Sequence, residues 1–301
     1  MPRFVAIGEC MVELSQAGNG LLQQGFAGDT LNTAWYARAC LPGDWAVEYA
    51  TLLGRDALSD RMMEFIAAAG IGTECIGRHP ERVPGLYLIS LRDGERSFTY
   101  WRDRSAARCM ADDPAWLDDA MAGEDVIYVS GITFAILPPE GRVMLRDRLA
   151  QARARGARVV FDPNLRPRLW PDAATMCAET EATARVADIL LPSHDDEASH
   201  FGDPDPVATA RRYLALGASE VLVKNGGGPM VAALAGRPPQ SLPPLPRVVP
   251  IDTTGAGDSF NGGYLAARLA GADPEQATRA GHDIAMRVIA HHGALLSLAQ
   301  I

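Results

Sequence analysis

The chain has 301 residues, of which 48% are hydrophobic and 22% charged, and its formal net charge is −9. This length can bury a full globular core, and the acidic balance argues against a nucleic-acid partner, which would need a basic face. The five cysteines are scattered without a CxxC pair, and no stretch reaches the roughly 18 apolar residues of a membrane span. We therefore expect a cytoplasmic protein with reduced thiols and no signal peptide, which binds neither nucleic acid nor membrane.

Short apolar runs alternate with amphipathic stretches along the chain. The runs predicted to be buried strands of a parallel sheet are Phe4–Ile7, Val126–Val129, Val159–Phe161, Ile189–Leu191 and Val221–Val223. The stretches predicted to be helices are Leu31–Cys40, Asp60–Ala69, Glu140–Arg155 and Pro206–Leu216, and several end in a capping glycine (Gly70, Gly156, Gly217). Strand and helix in repeated order predict an α/β sandwich with its functional site at the carboxyl ends of the strands.

Residues 85–101 depart from this alternation of strands and helices. They read as two strands around a turn at Asp93-Gly94, and a hairpin inserted into an α/β unit favours a small flap or lid. Because strand residues alternate between faces, Tyr100 and Arg102 are predicted to share one face, with Tyr87 on the partner strand. An arginine beside tyrosines can bind a carboxylate through two oxygens. From these residues alone, however, a solvated arginine with two packing tyrosines is the simpler interpretation.

The most informative segment is residues 251–263. The turn Gly255-Ala256-Gly257 leads into a predicted helix, so unpaired backbone amides and the positive helix end converge where an anion can bind. Small residues let a phosphate approach the backbone. Asp258 follows directly, where it could accept a proton from a hydroxyl beside that phosphate. For an isolated motif this short, a glycine-rich turn with Asp258 as the helix N-cap would be the simpler interpretation.

The longer string Asp-Thr-Thr-Gly-Ala-Gly-Asp-Ser-Phe, residues 252–260, closely resembles the C-terminal signature of the ribokinase (PfkB) family of carbohydrate kinases. The resemblance implies a ribokinase-like three-layer α/β sandwich with a mostly parallel central sheet and a small β lid. It implies a single domain over residues 1–301, with lid strands from about residues 10–30 and 82–105. It also implies that residues 255–257 form an anion hole and that Asp258 is the catalytic base.

The rest of the chain resembles one group of kinases within this family more specifically. Segments resembling 2-dehydro-3-deoxygluconate (KDG) kinases, best of all the enterobacterial type, are residues 8–14, 27–33, 84–87, 100–102 and 166–170. This implies ATP- and Mg²⁺-dependent phosphorylation of KDG to its 6-phosphate. Another sugar or sugar-acid kinase of the family, fructokinase-like or accepting the galactonate epimer, stays open.

The family's site residues carry over onto matching positions. The implied sugar ligands are Gly28, Asp29, Thr30, Asn32, Tyr87, Tyr100, Arg102, Arg166 and Asp258. The implied ATP ligands are Asn164, Arg166, Lys224, Gly226, Gly255, Ala256, Gly257 and His282, and Arg166 is expected to assist catalysis as well. From the residues alone, residues 28–32 read equally well as a helix start capped by Asp29, and a lone helical histidine more often lies in the core or on the surface.

The sequence departs from the family pattern at two places. Many members carry Asn-x-x-Glu before the nucleotide loop, where Ser193 and Asp196 stand here. We therefore expect no direct protein ligand to the metal; Asp196 would act through water, and the ATP phosphates would hold most of the Mg²⁺. Some KDG kinases also have an acidic residue after the glycine at position 293, where this chain has Ala294.

Other function classes fit less well. A dinucleotide-dependent oxidoreductase should carry GxGxxG after its first strand, but only Gly8-Glu9-Cys10 follows Phe4–Ile7. The Walker A string of P-loop kinases is missing too. A catalytically silent sugar-binding relative would have lost Asp258 or its glycines. Exposed strand edges in the lid also favour a homo-oligomer that pairs through it.

Overall fold

The computed structural model describes residues 1–92 and 95–301, so the predicted turn at Asp93-Gly94 lies outside the described residues. The strands are β1 (Arg3–Ile7), β2 (Met11–Gly18), β3 (Leu21–Ala27), β4 (Ala46–Leu53), β5 (Ile76–Arg78), β6 (Leu86–Arg92), β7 (Glu95–Trp101), β8 (Val126–Ser130), β9 (Arg158–Asp162), β10 (Ile189–Leu190), β11 (Glu220–Val223), β12 (Val231–Leu234) and β13 (Gln240–Ser241). The helices are α1 (Asp29–Cys40), α2 (Ala57–Ala68), α3 (Pro114–Ala120), α4 (Gly131–Ile136), α5 (Pro139–Ala154), α6 (Ala173–Ala184), α7 (His194–Phe201), α8 (Pro206–Ala215), α9 (Ala256–Leu269) and α10 (Pro274–Ile289).

The large sheet has the strand order β13-β12-β11-β10-β9-β8-β1-β4-β5. The pairs from β11 through β5 are parallel, whereas β12 and β13 are antiparallel. The five predicted strands correspond to β1, β8, β9, β10 and β11, which confirms the mostly parallel sheet. Sequence reasoning misses β4 because Glu48 and Thr51 interrupt its apolar run, although both are buried in the structure.

The sheet is covered by helices on both faces, which gives three layers. Alternate residues of β1 belong to different cores: Phe4 and Ala6 to one, Val5 and Ile7 to the other. The first core includes residues of α1, α2, α9 and α10, and the second includes residues of α3, α4, α5, α6 and α8. Burial of β1 on both faces explains why its sequence is continuously apolar rather than alternating.

A second, four-stranded sheet has the order β3-β2-β6-β7. Its strands lie within residues 10–30 and 82–105, the segments from which lid strands are expected. Strands β6 and β7 are antiparallel, with Tyr87 directly opposite Tyr100, as the predicted hairpin requires. Strand β2 joins this hairpin in parallel through Glu13 and Tyr87.

Helix starts differ between the scaffold and the carboxyl edge of the large sheet. Helices α2, α3, α6, α8 and α10 each follow an aspartate whose side chain accepts a backbone N–H of the first turn. Helices α1 and α9 instead follow Gly28 and Gly255, and no side chain caps either helix. In α1 the Thr30 amide donates to the Asp29 side chain, and in α9 the Ala256 amide donates to the Thr253 carbonyl oxygen. The next amides of α9, those of Gly257 and Asp258, are not bound by a capping side chain.

No helix in the described part of the chain combines the length and the apolar character that crossing a membrane requires.

Candidate active site

The candidate site lies where the carboxyl ends of the parallel strands meet the starts of α1 and α9. Asp162 ends β9, and Lys224 directly follows β11. Asp29 and Asp258 lie in the first turns of α1 and α9. Polar residues distant in sequence are therefore brought to one edge, as expected for an open α/β sheet.

The turn that precedes α9 is fixed by Asp252. One carboxylate oxygen accepts the Thr254 N–H at 3.0 Å, and the other accepts the Gly293 N–H at 2.6 Å. Gly255 adopts φ 75°, in the left-handed region, and a Cβ on it would lie 2.9 Å from Ala294. Both the conformation and the contact require glycine here. Ala294, where some relatives are acidic, thus packs against the turn.

Asp258 is not the N-cap of α9, since Gly255 holds that position. Instead, the Asp258 carboxylate accepts a hydrogen bond from the Asn32 side-chain amide at 2.8 Å. The pKa of Asp258 is raised to about 7, mainly by burial and also by the neighbouring Asp29 carboxylate, while the Asn32 bond opposes the shift. A carboxyl group that titrates near neutral pH is suited to exchange protons with a hydroxyl.

Asp29 is held in a similar way from a different strand end. Its carboxylate accepts the Asn164 side-chain amide at 2.7 Å, and burial raises its pKa. Asn164 adopts φ 36°, an uncommon conformation for a residue other than glycine. Asp29 is not the N-cap of α1, because Gly28 is. The interpretation of residues 28–32 as an ordinary capped helix start is therefore wrong.

Gly28 and Thr30 shape the start of α1 from within the fold. A Cβ on Gly28 would lie 2.1 Å from the carbonyl oxygen of Glu9, so only glycine fits there. The Thr30 side chain is completely buried, and its hydroxyl lies 3.1 Å from the Tyr49 hydroxyl. The structure does not bring the predicted Thr30 side chain into the site, because helix packing turns it toward the sheet.

Lys224 and Arg166 follow two different strands of the large sheet, and Lys224 lies beside the turn before α9. Lys224 is buried, and its ammonium donates to Asp162 at 3.0 Å and to Asn261 at 3.1 Å. Arg166 is half-exposed, and its guanidinium lies 3.9 Å from the Asp196 carboxylate. Burial raises the pKa of Asp196, while Arg166 opposes the shift.

Gly226 and His282 lie farther along the predicted nucleotide side. Gly226 has φ 45°, and a Cβ on it would lie 3.1 Å from the Asp195 carboxylate. His282 is buried on α10, with its Nε2 2.5 Å from the Pro246 carbonyl oxygen. This contact ties α10 to the proline-rich connection at residues 238–250.

The three residues predicted to bind a carboxylate, Tyr87, Tyr100 and Arg102, lie close together at the second sheet. The Arg102 guanidinium lies 5.9 Å from the ring centre of Tyr100, and the Tyr87 and Tyr100 rings are 5.8 Å apart. Arg102 is buried and ion-paired with Glu9, and the Tyr87 hydroxyl donates to Glu13. The alternative of a solvated Arg102 is therefore wrong. Among the described residues, the buried Arg102 Nε and Glu9 Oε1 atoms have no hydrogen-bond partner.

Sequence reasoning gives no role to Glu9, Asp162 or Asn261. Glu9 lies two residues after the end of β1, and Asp162 is the last residue of β9, so their positions at strand ends were the available signal. Asn261 lies three residues after Asp258 and hence on the same face of α9. Their pairing partners are 37 to 99 residues away in sequence, which no local pattern reveals.

The acidic residues of the site do not form a metal cage. Within residues 1–92 and 95–301 no group of three or more histidine, cysteine, aspartate or glutamate side chains could hold a metal ion. The nearest fit to magnesium is the half-exposed Asp196 beside Arg166, which could hold waters of an ion bound mainly by phosphates.

The sequence profile of the pfkB family of carbohydrate kinases matches residues 1–301. The chain is 38% identical over 300 residues to a 2-dehydro-3-deoxygluconokinase of Escherichia coli strain K12, which covers 98% of this chain and 97% of the relative. It is 39% identical over 298 residues to that of Dickeya dadantii, covering 97% and 96%. A PfkB protein from Polaromonas sp. JS666 superposes with a TM-score of 0.83 at 26% identity, covering 96% of each chain. The chain therefore belongs to the PfkB family of carbohydrate kinases.

Proposed function

We propose that the protein transfers the γ-phosphoryl group of ATP to the 6-hydroxyl of 2-dehydro-3-deoxy-D-gluconate. The hydroxyl oxygen attacks phosphorus while Asp258 takes its proton, and the bond to the leaving ADP breaks. The amides of residues 255–257 stabilise charge on the transferring group, with Arg166 and Lys224 assisting. Relatives that carry this activity in their names are 36–39% identical over nearly the whole chain.

The observation that carries the proposal is the placement of Asp258. Its carboxylate lies in the first turn of an uncapped helix, is held by Asn32 at 2.8 Å, and has its pKa raised to about 7. A base and an anion-binding backbone turn are thus adjacent, which is the arrangement that phosphoryl transfer to an alcohol needs.

ATP and Mg²⁺ fit the residues around this turn. Gly257 leaves room for phosphate, and Lys224 lies beside it with positive charge. Arg166, beside Asp196, would add a second positive charge when ATP is bound. When bound with ATP, Mg²⁺ would neutralise phosphate charge, and Asp196 would contact it through water. A fold neighbour from Escherichia coli, a putative ribokinase II with a TM-score of 0.80, was solved with ATP and Mg²⁺.

Arg102 would bind the carboxylate of the sugar acid, with Tyr87 and Tyr100 beside it. The sites for the two ends of the substrate then lie on different sheets, because Asp258 follows the large sheet and Arg102 follows β7 of the second. We further propose that the second sheet acts as a lid that excludes water during transfer.

One observation favours a second candidate, a kinase for a neutral sugar such as fructose. Arg102 already has a carboxylate partner, Glu9, so the pair carries no net charge toward an incoming acid. A fructokinase of Vibrio alginolyticus is 30% identical over 236 residues, covering 75% of this chain and 74% of the relative.

An ADP-release assay coupled to NADH oxidation separates the two candidates. Wild-type protein is tested with KDG, its galactonate epimer, gluconate, fructose and ribose at saturating MgATP. The proposal expects the highest kcat/KM with KDG or its epimer. Faster turnover of fructose would favour the neutral-sugar alternative, and the absence of ADP release with all five would contradict a sugar kinase.

We propose that the chain forms a homodimer through the second sheet and works in the cytoplasm. Strands β3 and β7 are edges of that sheet, and Leu21, Leu22 and Trp101 are at least half-exposed on them. All five cysteines are free thiols, which suits a reducing compartment. Light scattering should give twice the chain mass for wild-type and the mass of one chain for Trp101→Lys with Leu22→Lys; a wild-type monomer would contradict the dimer.

A further inference from the structure

A buried cluster of Asp162, Lys224 and Asn261 lies beneath the turn at residues 255–257. The Lys224 ammonium donates to Asp162 Oδ2 at 3.0 Å and to Asn261 Oδ1 at 3.1 Å. The Asn261 amide also donates to Asp162 Oδ2 at 2.6 Å and lies 3.1 Å from the Tyr128 hydroxyl. Each of the three cluster residues is at least nine-tenths buried. Burying an ammonium group this deeply is costly unless such partners pair with it.

The cluster aims the ammonium at the anion-binding turn. A Cβ on Gly257 would lie 3.7 Å from Lys224 Nζ, so the ammonium is adjacent to the space that a ligand at Gly257 would occupy. An ammonium has three N–H groups, and Asp162 and Asn261 occupy two. These are its two hydrogen-bond partners in the part of the chain that the structure describes, which leaves the third N–H for an anion held in the turn.

The same aspartate also fixes the other side of the site. Asp162 Oδ1 accepts the backbone N–H of Asn164 at 3.1 Å, and the Asn164 side chain donates to Asp29. One buried carboxylate therefore organises both the lysine beneath the turn and the strained loop that holds Asp29.

We infer that Asp162 and Asn261 are positioning residues for phosphoryl transfer, which act by holding Lys224 so that its free N–H meets the transferring phosphoryl group. The inference rests on the proposed kinase activity. Substitution of Asp162 with Asn would place an amide donor toward Lys224 and Asn261, both of which also donate there. The ammonium would then lose its fixed direction while the overall packing volume stays the same.

The test is a double-mutant cycle on kcat with Asp162→Asn and Lys224→Met, using the sugar that wild-type phosphorylates fastest. We expect about 10- to 100-fold loss of kcat for Lys224→Met and about 10-fold for Asp162→Asn, as for other electrostatic contacts to a transition state. The double variant should lose no more than about 3-fold beyond Lys224→Met, because Asp162 acts through the lysine. The Kd for ADP, which lacks the transferring group, should change less than about 3-fold in all variants.

Asp188→Asn is the matched control. Asp188 also accepts from a basic side chain and a backbone N–H, Arg153 at 2.7 Å and Val159 at 2.9 Å, but at the opposite edge of the sheet, just before β10. It should lose stability and keep kcat. If Asp162→Asn does not fold by circular dichroism, Asn261→Ser replaces it in the cycle, since it withdraws one acceptor and leaves the ion pair.

Three outcomes would overturn the inference. The first is a kcat equal to that of wild-type in Asp162→Asn or in Asn261→Ser. The second is a double variant whose loss of kcat equals the product of the two single losses, and the third is a loss of kcat in Asp188→Asn as large as that in Asp162→Asn. Each would indicate a structural role alone. Failure of the proposed function is seen separately: Asp258→Asn would then keep its activity, or wild-type would release no ADP with any of the five sugars.

Discussion

The two ends of the candidate site are built in different ways. Around Asp258 the polar groups rest on the large sheet and its helices, and Lys224, Asp162 and Asn261 are buried in one cluster. Around Arg102 the residues belong to or follow the small second sheet, where Tyr100 is half-exposed. We propose that the end built on the large sheet, called the rigid end below because its three-residue cluster is buried, sets the rate of chemistry, and that the second sheet sets which sugar binds.

Asp258→Asn should have the largest effect because it removes the proton acceptor at the rigid end while keeping the shape. We expect kcat to fall by about 10²–10⁴-fold while ATP still binds. Steady-state kinetics and titration of ADP by calorimetry measure the two quantities. If the variant keeps more than a tenth of wild-type kcat, Asp258 is not the base.

Gly257→Val tests the anion-binding turn itself. Among the described residues outside its own helix turn, a Cβ on Gly257 would contact Lys224, 3.7 Å away, so the fold should tolerate it, whereas a phosphate in the turn should not. We expect kcat to fall by at least about 10²-fold with an unchanged circular dichroism spectrum.

Gly255→Ala serves as the contrasting variant for the turn. Its positive φ and the 2.9 Å contact with Ala294 should destabilise the fold as well as the activity. A folded and fully active Gly257→Val would show that no phosphate approaches this backbone.

Arg102→Lys tests the other end and should change selectivity rather than chemistry. Lysine keeps the charge but loses the planar fork, so KDG binding should weaken by about 1.5–3 kcal/mol, a roughly 10- to 150-fold rise in KM. The kcat and the KM for ATP should stay close to wild-type, because the carboxylate changes little during transfer. Equal losses with KDG and with fructose would place the acid specificity elsewhere, with Arg166 as the next candidate.

The raised pKa of Asp258 predicts the pH dependence of the rigid end. The base must be ionised, and its pKa is about 7, so kcat/KM should rise with pH and be about 10-fold lower at pH 6 than at pH 8. Asp29, Asp162 and Lys224 face the carboxyl group and also influence its pKa. A profile that is flat from pH 5.5 to pH 8 would contradict this assignment.

The smallest effect is on stability and has the opposite sign to the effect on activity. The pKa of Asp258 is higher in the folded than in the unfolded chain, so the ionised form weakens folding as pH rises toward about 7. Asp258→Asn should therefore raise the Tm by about 2–6 °C at pH 8, with a smaller gain at pH 5. Calorimetry at both pH values checks this, and an unchanged or lowered Tm at pH 8 would contradict it.

Local patterns in the sequence predict the scaffold well, and a family resemblance predicts the rigid end. Apolar runs predict the central strands, whereas the turn before α9 and the role of Asp258 follow from the resemblance of residues 252–260 to a family signature, since the short motif alone favours Asp258 as the helix N-cap. The central strands depend on residues that are neighbours in sequence, so their local sequence is enough to predict them.

Long-range pairing could not be predicted in the same way. Three contacts depend on packing between distant elements. They are the burial of Arg102 against Glu9, the contact of Thr30 with Tyr49, and the hydrogen bond between Asp162 and Lys224. A single sequence contains no local period that reports such contacts. Strand β4 was missed for a related reason, because a buried Glu48 looks exposed in sequence.

The hydrogen bond between Asn32 and Asp258 joins residues 226 positions apart. During synthesis, Asn32 leaves the ribosome long before Asp258, so the nascent chain contains the hydrogen-bond donor without the carboxylate for most of translation. Helix α1 also waits for α9, since Gly262 packs directly against Thr33 and Tyr36. Contacts of such high sequence separation form slowly. Because Asn32 holds Asp258, the site is complete only after α9 has docked against α1.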